Sequence, residues 1–328
     1  MPHCPACCSL LAPEDRFCGE CGAPVAPAAE AAATEPRCAC GAPATSVDAE
    51  GYCSECGRRT VAADPHDHAE LSLSPQFAAV TDRGRRHAHN EDAVLIAEHR
   101  RPEGVYRLLT VSDGVSTSYQ PQRASASAVE ALRDAVFAAL DAGLKPEAAL
   151  EAACGAAQDA VCAIAAPDRD EPPAATLVAA LVFGAQAFLA WAGDSRAYLL
   201  APEPRQLTRD DSWLNAVVAS GEMSAAEAQA SRYAHAIVSC LGPLEEEAGF
   251  KPNFATVPLP PGATLLLCSD GLWNYAETAE EIAKLAVATD ALAACRKLAA
   301  FANEAGGRDN ISVAILASAI LASDPPAC

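Results

Sequence analysis

Three apolar segments of this chain end in an aspartate, and this pattern limits the possible folds more than any other feature. The segments VYRLLTVSDG, AFLAWAGDS and ATLLLCSDG contain Asp113, Asp194 and Asp270 at their ends. Apolar runs that are rich in leucine, valine and phenylalanine and stop at a turn signal are typical of buried strands. The sequence therefore predicts sheet structure in which several strand ends present a carboxylate.

Helical segments lie between and after these strands. Apolar residues recur at helical spacing from Val129 to Leu140, and residues 145–166 form an alanine-rich second segment of helical character. Thr278 and Glu281 match a capping box that begins another helix. Strand hairpins with inserted pairs of helices predict an α+β fold that is built in layers.

The apolar segment TLVAALVFGAQAFLAWAG has two interpretations. Its length approaches that of a membrane span. Gly184, Ala185 and Gln186 lie at its middle, where two buried strands would need a turn, and this favours a β-hairpin. We therefore expect no membrane association. The first residues, MPHCPACC, contain no apolar stretch typical of a signal peptide, so we expect a cytoplasmic protein.

Cysteine is concentrated near the amino terminus, where nine of the 15 cysteines lie within the first 56 residues. Eight of the nine form close pairs, which are Cys4 and Cys7, Cys18 and Cys21, Cys38 and Cys40, and Cys53 and Cys56. Two such pairs can hold one tetrahedral zinc ion, so we predict two structural Zn²⁺ ions in two small zinc ribbons. Redox-active cysteine pairs are the alternative, but these normally occur on a larger α/β scaffold.

The composition changes along the chain and divides it into five segments. The two ribbons occupy residues 1–24 and 36–59, and residues 25–35 between them form a linker rich in alanine, proline and glutamate. Residues 60–74 are polar, contain proline and are predicted to be a second linker. Residues 75–322 form one continuous globular domain.

The charge of the chain limits its possible partners. The formal net charge is −20, from 23 lysine and arginine residues and 43 aspartate and glutamate residues. This balance argues against a protein that binds nucleic-acid backbones broadly. Residues 1–69 contain only four basic residues against ten acidic ones. Although zinc ribbons often bind nucleic acid, we expect these two ribbons to bind a protein partner.

Five acidic motifs follow one another along the large domain. They are HNEDA, VSDGVS, AGDSRAY, CSDGLW and GGRDNISV. Each one alone is weak evidence, because Asp-Gly is most often a turn. Carboxylates from distant segments can converge on Mg²⁺ or Mn²⁺, which prefer oxygen ligands, and a pair of such ions can activate a water molecule. Together the motifs predict a two-metal hydrolase.

In their order and flanking residues, these motifs resemble those of the metal-dependent serine/threonine protein phosphatases of the 2C type. The resemblance covers about residues 75–320 and includes TDRGRRHAHNED, TLVAALV, LTRDDS and AHAIVSCLG. It implies a four-layer αββα sandwich, in which two antiparallel sheets are flanked by helices. It also implies hydrolysis of phosphoserine and phosphothreonine in proteins by direct attack of a water molecule that bridges two metal ions.

The resemblance also implies roles for individual residues at two Mn²⁺ or Mg²⁺ ions and a weaker third one. Asp113 is implied to bridge both ions, and Asp270 and Asp309 are implied to hold the first ion. The Gly114 carbonyl is implied to bind the second ion, with Glu91 and Asp92 acting at or near it, and Asp194 is implied to hold the third. The same carboxylates, except that of Asp194, form the implied catalytic set. Asn310 is expected to orient Asp309.

One position departs from the family pattern. Where the family usually has an arginine that binds substrate phosphate, this chain has His87. Arginine makes a bidentate and permanently charged contact, whereas histidine makes fewer bonds and is cationic only when protonated. We expect His87 to bind substrate phosphate, with the neighbouring Arg86 as a substitute.

Two functional hypotheses follow. The first is a phosphatase that acts on phosphoprotein substrates of a Ser/Thr kinase. The second is a catalytically weak adaptor or regulatory protein with the 2C-type fold. His87 and the ribbons favour the adaptor, whereas the complete set of acidic motifs favours the enzyme.

Overall fold

The computed structural model describes residues 40, 42–46, 53–56, 66–167, 171–234, 236–243 and 250–317. The chain divides into two compact units, residues 1–63 and 64–328. In the first unit, a short 3₁₀ turn spans Ala44–Ser46.

The described part of the second unit forms eleven strands and seven α-helices. In chain order, they are β1 (His68–Ser74), β2 (Phe77–Asp82), β3 (Asp92–Arg101), β4 (Gly104–Asp113), α1 (Pro121–Asp141), α2 (Pro146–Cys162), β5 (Leu177–Phe183), β6 (Gln186–Ala192), β7 (Arg196–Leu199), β8 (Arg205–Gln206), α3 (Trp213–Ser220), α4 (Ala225–Gln229), β9 (Asn253–Pro258), β10 (Thr264–Cys268), α5 (Asp270–Trp273), α6 (Ala279–Leu285), α7 (Ala291–Ala305) and β11 (Ile311–Ala317).

The strands form two antiparallel sheets. One sheet has six strands in the order β1-β2-β11-β10-β7-β8, and the other has five in the order β3-β4-β5-β6-β9. One face of each sheet packs on the other sheet, and the opposite faces pack on helices: α1 and α2 cover the five-stranded sheet, while α5, α6 and α7 cover the six-stranded sheet. The predicted four-layer arrangement of two antiparallel sheets flanked by helices is confirmed.

Alternation along single strands builds these core layers. In β4, Leu109 and Val111 lie in the core between the two sheets, while Leu108 points to the other face and packs against the α1–α2 layer. In β11, Val313 faces α7 and Ala314 faces the other sheet. Because both faces of these strands are buried, the sequence shows continuous apolar runs.

The apolar segment that could have been a membrane span is a hairpin, as predicted. β5 and β6 pair antiparallel from Leu177 opposite Ala192 to Phe183 opposite Gln186. Gly184 lies in the turn with a φ of 57°, which favours glycine. Within the described ranges, no helix combines the length and apolarity that a membrane crossing requires.

β1 occupies residues that the sequence analysis assigned to a linker. It pairs with β2, from His68 opposite Asp82 to Ser74 opposite Phe77. β1 is an edge strand with most of its side chains exposed. Its sequence HAELSLS lacks the continuous apolar run of the buried strands, but it alternates polar and apolar residues, a strand signal that the sequence analysis missed.

Candidate active site

The carboxylates of the separate acidic motifs meet at one end of the two sheets. Asp92 begins β3 and lies directly opposite Asp113, which ends β4. Asp270 follows β10 and Asp309 precedes β11, and the antiparallel pairing of these two strands places both residues at the same end. The negative charges of Asp92, Asp270, Asp194 and Asp309 all act on Asp113. We call these five aspartates the carboxylate cluster.

Burial and mutual repulsion raise the pKa of these groups. Burial raises the pKa of Asp92 to about 7. Burial and then the negative charge of Asp210 raise the pKa of Asp194 to about 6. The pKa values of Asp113 and Asp270 lie well above the ordinary range, first because of burial and then because of the neighbouring carboxylates. So many carboxylates in one place require compensation by protons or cations.

Two oxygens of the carboxylate cluster indicate that cations could compensate its negative charge. Asp92 Oδ1 and Asp270 Oδ1 are buried and have no hydrogen-bond partner among the residues that the structure describes. A buried carboxylate oxygen without a partner is costly, and it is the type of ligand that Mg²⁺ and Mn²⁺ prefer. The residues present therefore fit hard divalent cations.

A buried set of hydroxyl groups fixes the other oxygen of Asp92. Ser269 Oγ donates a hydrogen bond of 2.7 Å to Asp92 Oδ2 and accepts one of 3.0 Å from Ser312 N. Behind it, Ser312 Oγ lies 2.8 Å from Thr81 Oγ1. The sequence analysis missed these positioning residues. A serine precedes the aspartate in both VSDG and CSDG, but its partners lie far away in the chain.

Gly114 lies where three backbone segments come together. A Cβ atom at this position would lie 2.4 Å from Pro121 O and 2.8 Å from Glu91 O. Glu91 O accepts hydrogen bonds from Gly114 N at 3.1 Å and from Ser125 Oγ at 2.5 Å. The Glu91 carboxylate accepts a hydrogen bond of 2.6 Å from Ser116 Oγ. These contacts therefore fix the relative positions of the Asp-Gly turn, Glu91 and the start of α1.

Asn310 connects Asp309 with the HNEDA motif. Its backbone N–H donates to Asp309 Oδ1 at 2.8 Å, and its side-chain Oδ1 accepts from Glu91 N at 2.8 Å. Its Nδ2 donates to Arg83 O at 2.8 Å and to His89 O at 3.1 Å. The main contribution of the side chain is therefore to hold the loop before Glu91, while the backbone contacts Asp309.

Of the two predicted phosphate-binding residues, His87 lies at the rim of the carboxylate cluster. His87 Nε2 lies 3.2 Å from Asp309 Oδ1, and the two side chains are 27% and 38% exposed. Arg86 is exposed. Arg83, which the sequence analysis did not select, donates to His87 O and lies 3.5 Å from the Asp67 carboxylate. The contact of His87 and Arg86 with phosphate stays a prediction.

Trp273 and Arg196 support the loop that carries Asp194. Trp273 Nε1 donates to Asp194 O at 3.0 Å, and the Arg196 guanidinium stacks 3.6 Å from the centre of the Trp273 ring. Arg196 also donates to both carboxylate oxygens of Asp210, with Nη2 to Oδ2 at 2.7 Å and Nε to Oδ1 at 2.9 Å. Arg196 is therefore a structural support of this loop.

In the first unit, three of the eight predicted zinc ligands are described. The Sγ atoms of Cys40, Cys53 and Cys56 lie within 4.8 Å of one another, and those of Cys40 and Cys53 are 3.7 Å apart. The remaining predicted ligands lie outside the described residues; they are Cys4, Cys7, Cys18, Cys21 and Cys38. The zinc ribbons stay a prediction.

Comparison with known proteins identifies the family. Residues 81–304 match the family described as Protein phosphatase 2C. The chain belongs to the protein phosphatase 2C family. Its relatives include serine/threonine phosphatase stp of Listeria innocua, which is 32% identical over 240 residues that cover 72% of this chain and 93% of the relative.

Solved structures of 2C phosphatases share the fold of the chain. The Mycobacterium tuberculosis serine/threonine phosphatase PstP/Ppp is 30% identical with a TM-score of 0.61, covering 73% of this chain and 96% of that one. The catalytic domain of the phosphatase PstP in complex with two manganese ions is 28% identical with a TM-score of 0.58, covering 74% of this chain and 97% of that one. The chain is therefore an enzyme of the 2C phosphatase family.

Proposed function

We propose that this protein serine/threonine phosphatase hydrolyses phosphoserine and phosphothreonine in proteins at the carboxylate cluster. The observation that carries the proposal is the convergence of carboxylates from separate motifs, with Asp92 Oδ1 and Asp270 Oδ1 buried and unpaired within the described residues. Relatives with the name serine/threonine phosphatase support the substrate class. The substrates would be phosphoproteins modified by a Ser/Thr kinase.

The cluster would hold two Mn²⁺ or Mg²⁺ ions, with a weaker third one. The proposed ligands are Asp113, Gly114 through its carbonyl, Asp270, Asp309, Glu91, Asp92 and Asp194. The manganese ions of the PstP catalytic domain support this metal class. When bound, such ions activate water for direct in-line attack on phosphorus and offset the charge of the phosphoryl group.

The residues of this chain prepare the site for that chemistry. Ser269 holds Asp92 Oδ2, so that Oδ1 is left to face a cation. Asn310 keeps Asp309 and Glu91 in a fixed relation. His87, at the rim, and the neighbouring Arg86 would bind the phosphoryl oxygens and orient the substrate for attack. Their partial exposure leaves them accessible to a substrate that arrives from solvent.

Replacing one proposed ligand tests this function. Asp309→Asn should abolish turnover of a phosphothreonine peptide while circular dichroism shows an intact fold. Asp134→Asn is the matched control, because Asp134 lies on the exposed face of α1 with its side chain 70% accessible. Full activity of Asp309→Asn would rule out the assignment of Asp309.

We also propose that residues 1–24 and 36–59 are zinc ribbons, with a linker at 25–35 between them, and that a second linker after residue 59 ends before β1, where the phosphatase domain begins. The spacing of the cysteine pairs and the closeness of Cys40, Cys53 and Cys56 support the second site. Sites that require reduced thiols are compatible with a cytoplasmic protein. The ribbons would bind a protein partner.

A further inference from the structure

A cavity of about 420 Å³ lies directly beside the carboxylate cluster. We call it the flap cavity, because α3 and α4 form one of its walls. Its lining includes Asp194, Arg196, Arg209, Asp210, Asn215 and Gln229. Asp194 belongs to both the cavity and the carboxylate cluster, so the cavity adjoins the cluster at this residue. A phosphatase that acts on proteins needs room for the residues next to the phosphorylated one, and this cavity is in the right place to receive them.

Most charges of the flap cavity are already compensated. Arg196 pairs with Asp210 through bonds of 2.7 and 2.9 Å and stacks on Trp273, so neither member of the pair is available to a ligand. Asp194 lies at the end towards the carboxylate cluster, where divalent cations would offset its charge. The remaining residues of the cavity lining therefore determine which groups a substrate side chain would contact.

Arg209 is the cation of this lining that forms no ion pair within 4 Å in the described ranges, although its charge acts on the nearby Asp211 carboxylate. Its Nη2 donates 2.9 Å to a backbone carbonyl, Asn215 O, and its remaining guanidinium N–H groups are left to bind a ligand. Gln229, on the α4 side, is exposed and makes no side-chain hydrogen bond to any described residue. The two side chains offer N–H donors in the same cavity, which suits a group that only accepts hydrogen bonds. A carboxylate is such a group.

We propose that Arg209, together with Gln229, forms a specificity site for an acidic side chain that lies within about three residues of the phosphorylated residue in the substrate. The limit of three residues follows from the rise of an extended peptide, about 3.3 Å per residue, over a cavity of this size. The proposal rests on the proposed phosphatase function, because the flap cavity matters only if the phosphoryl group binds at the carboxylate cluster.

Peptide kinetics test the proposal. Each phosphothreonine peptide of a set carries a single Glu, at one of the positions from three before to three after the phosphothreonine. A partner peptide has Gln at the same position. The readout is the ratio of kcat/KM for the Glu peptide to that for its Gln partner. For the unmodified full chain with Mn²⁺, we expect a ratio of about five at one or more positions, as for a partly exposed ion pair.

Variants separate specificity from structural support. Arg209→Gln should bring the ratio to about one, and Arg209→Lys should keep part of it, because the charge remains. Arg205→Gln is the matched control, since Arg205 is also exposed but lies in β8 and lines a different cavity; the ratio should stay at about five. A role of Arg209 in folding alone would lower both kcat/KM values and leave the ratio unchanged.

Each outcome decides between the proposals. Turnover of all peptides with a ratio near one in the unmodified chain would overturn the specificity site and leave the proposed phosphatase function intact. An Arg209→Gln ratio that remains near five would also overturn it. No turnover of any peptide by the folded chain would refute the phosphatase function, and the specificity site with it.

Discussion

At the scale of single residues, Asp92 illustrates how a buried carboxylate becomes a cation ligand. Burial raises its pKa to about 7, while one of its oxygens is fixed by Ser269 and the other has no hydrogen-bond partner within the described residues. Without a cation, the folded state therefore favours a proton at this position. A divalent cation would replace the proton, so metal binding and protonation compete.

This competition predicts how stability depends on pH. The pKa values of Asp92 and Asp194 are about 7 and about 6 in the folded state, above the ordinary Asp value of 3.8. At a pH between 3.8 and these raised values, the folded state therefore binds more protons than the unfolded state. In EDTA, the Tm should fall by roughly 5 °C as the pH rises from 5 to 8, and Mn²⁺ should reverse most of that loss at pH 8. Differential scanning calorimetry measures both effects.

A variant provides the control for this prediction. Asp92→Asn cannot titrate, so in EDTA its Tm should depend less on pH than that of the unmodified protein. A Tm in EDTA that stays constant or rises between pH 5 and 8 would show that the carboxylate cluster does not carry these raised pKa values.

The rim residue His87 leads to a prediction about substrate binding. Because an arginine forms a bidentate contact with phosphate, His87→Arg should lower KM for a phosphothreonine peptide severalfold, and His87→Ala should raise it by about tenfold. Steady-state kinetics with Mn²⁺ measure both values. If neither variant changes KM, His87 supports Asp309 and does not bind substrate.

Residues that a local motif marks could be selected from the sequence, whereas residues without such a motif could not. The aspartates of VSDG, AGDS, CSDG and GGRDN could all be selected from the sequence, and the structure brings them together. Ser269, Ser312 and Thr81 could not be selected, because their partners lie far apart in the chain and only the paired strands unite them. A serine or threonine near an apolar strand does not by itself predict a contact with a site carboxylate.

At the scale of elements, the start of α1 is tied to the candidate site. Ser125 in its second turn donates to Glu91 O, and Pro121 O lies against Gly114. Movement of α1 would therefore move the Asp-Gly turn and Glu91 together. The long helix acts as a rigid support for two predicted metal-binding segments.

A glycine substitution tests this support. In Gly114→Ala the new Cβ would meet backbone oxygens at 2.4 and 2.8 Å, which cannot move away as a flexible side chain could. We expect a loss of about 2–3 kcal/mol in the free energy of unfolding, measured by urea denaturation, and a matching loss of activity.

Gly155 in α2 offers the matched control. A Cβ there meets no atom within 4 Å, so Gly155→Ala should stabilise the protein by about 0.5–1 kcal/mol. Equal stability of both variants would contradict the close packing around Gly114.

Elements with a strong local signal were predicted, whereas the short signal of β1 was missed. The capping box of Thr278 and Glu281 begins α6 as expected, and the glycine turn between β5 and β6 also agrees with the prediction. β1 was assigned to a linker, although Ala69, Leu71 and Leu73 alternate with polar residues as in a strand. The alternation is short and follows a proline-containing polar segment, and the sequence analysis missed it. Its pairing with β2 is visible only in the sheet.

At the scale of the whole molecule, the sandwich brings distant segments to one end. Antiparallel strands of both sheets end beside one another, so motifs from residue 91 to residue 309 meet although the chain separates them widely. The order of the motifs predicted this architecture through the family resemblance. The positions of the helices that build the flap cavity could not be predicted, because they depend on packing between distant loops.

The cysteine pairs lead to a prediction for the full chain. Purified under reducing conditions, the protein should contain two Zn²⁺ ions per chain by inductively coupled plasma mass spectrometry. Replacing both Cys53 and Cys56 by Ser should reduce this to one. Replacing the buried Cys154 in α2 by Ala is the control, and should leave the zinc content unchanged. Zinc-free protein with a folded phosphatase domain would refute the ribbon assignment.

The most direct test of the account is phosphate release from a phosphothreonine peptide by the full chain with Mn²⁺, with Mg²⁺ and after EDTA treatment. The account predicts turnover with Mn²⁺ or Mg²⁺, loss of turnover in EDTA, and recovery when Mn²⁺ is added back in excess. Folded protein that releases no phosphate with either metal would contradict the account and support an adaptor with the 2C phosphatase fold.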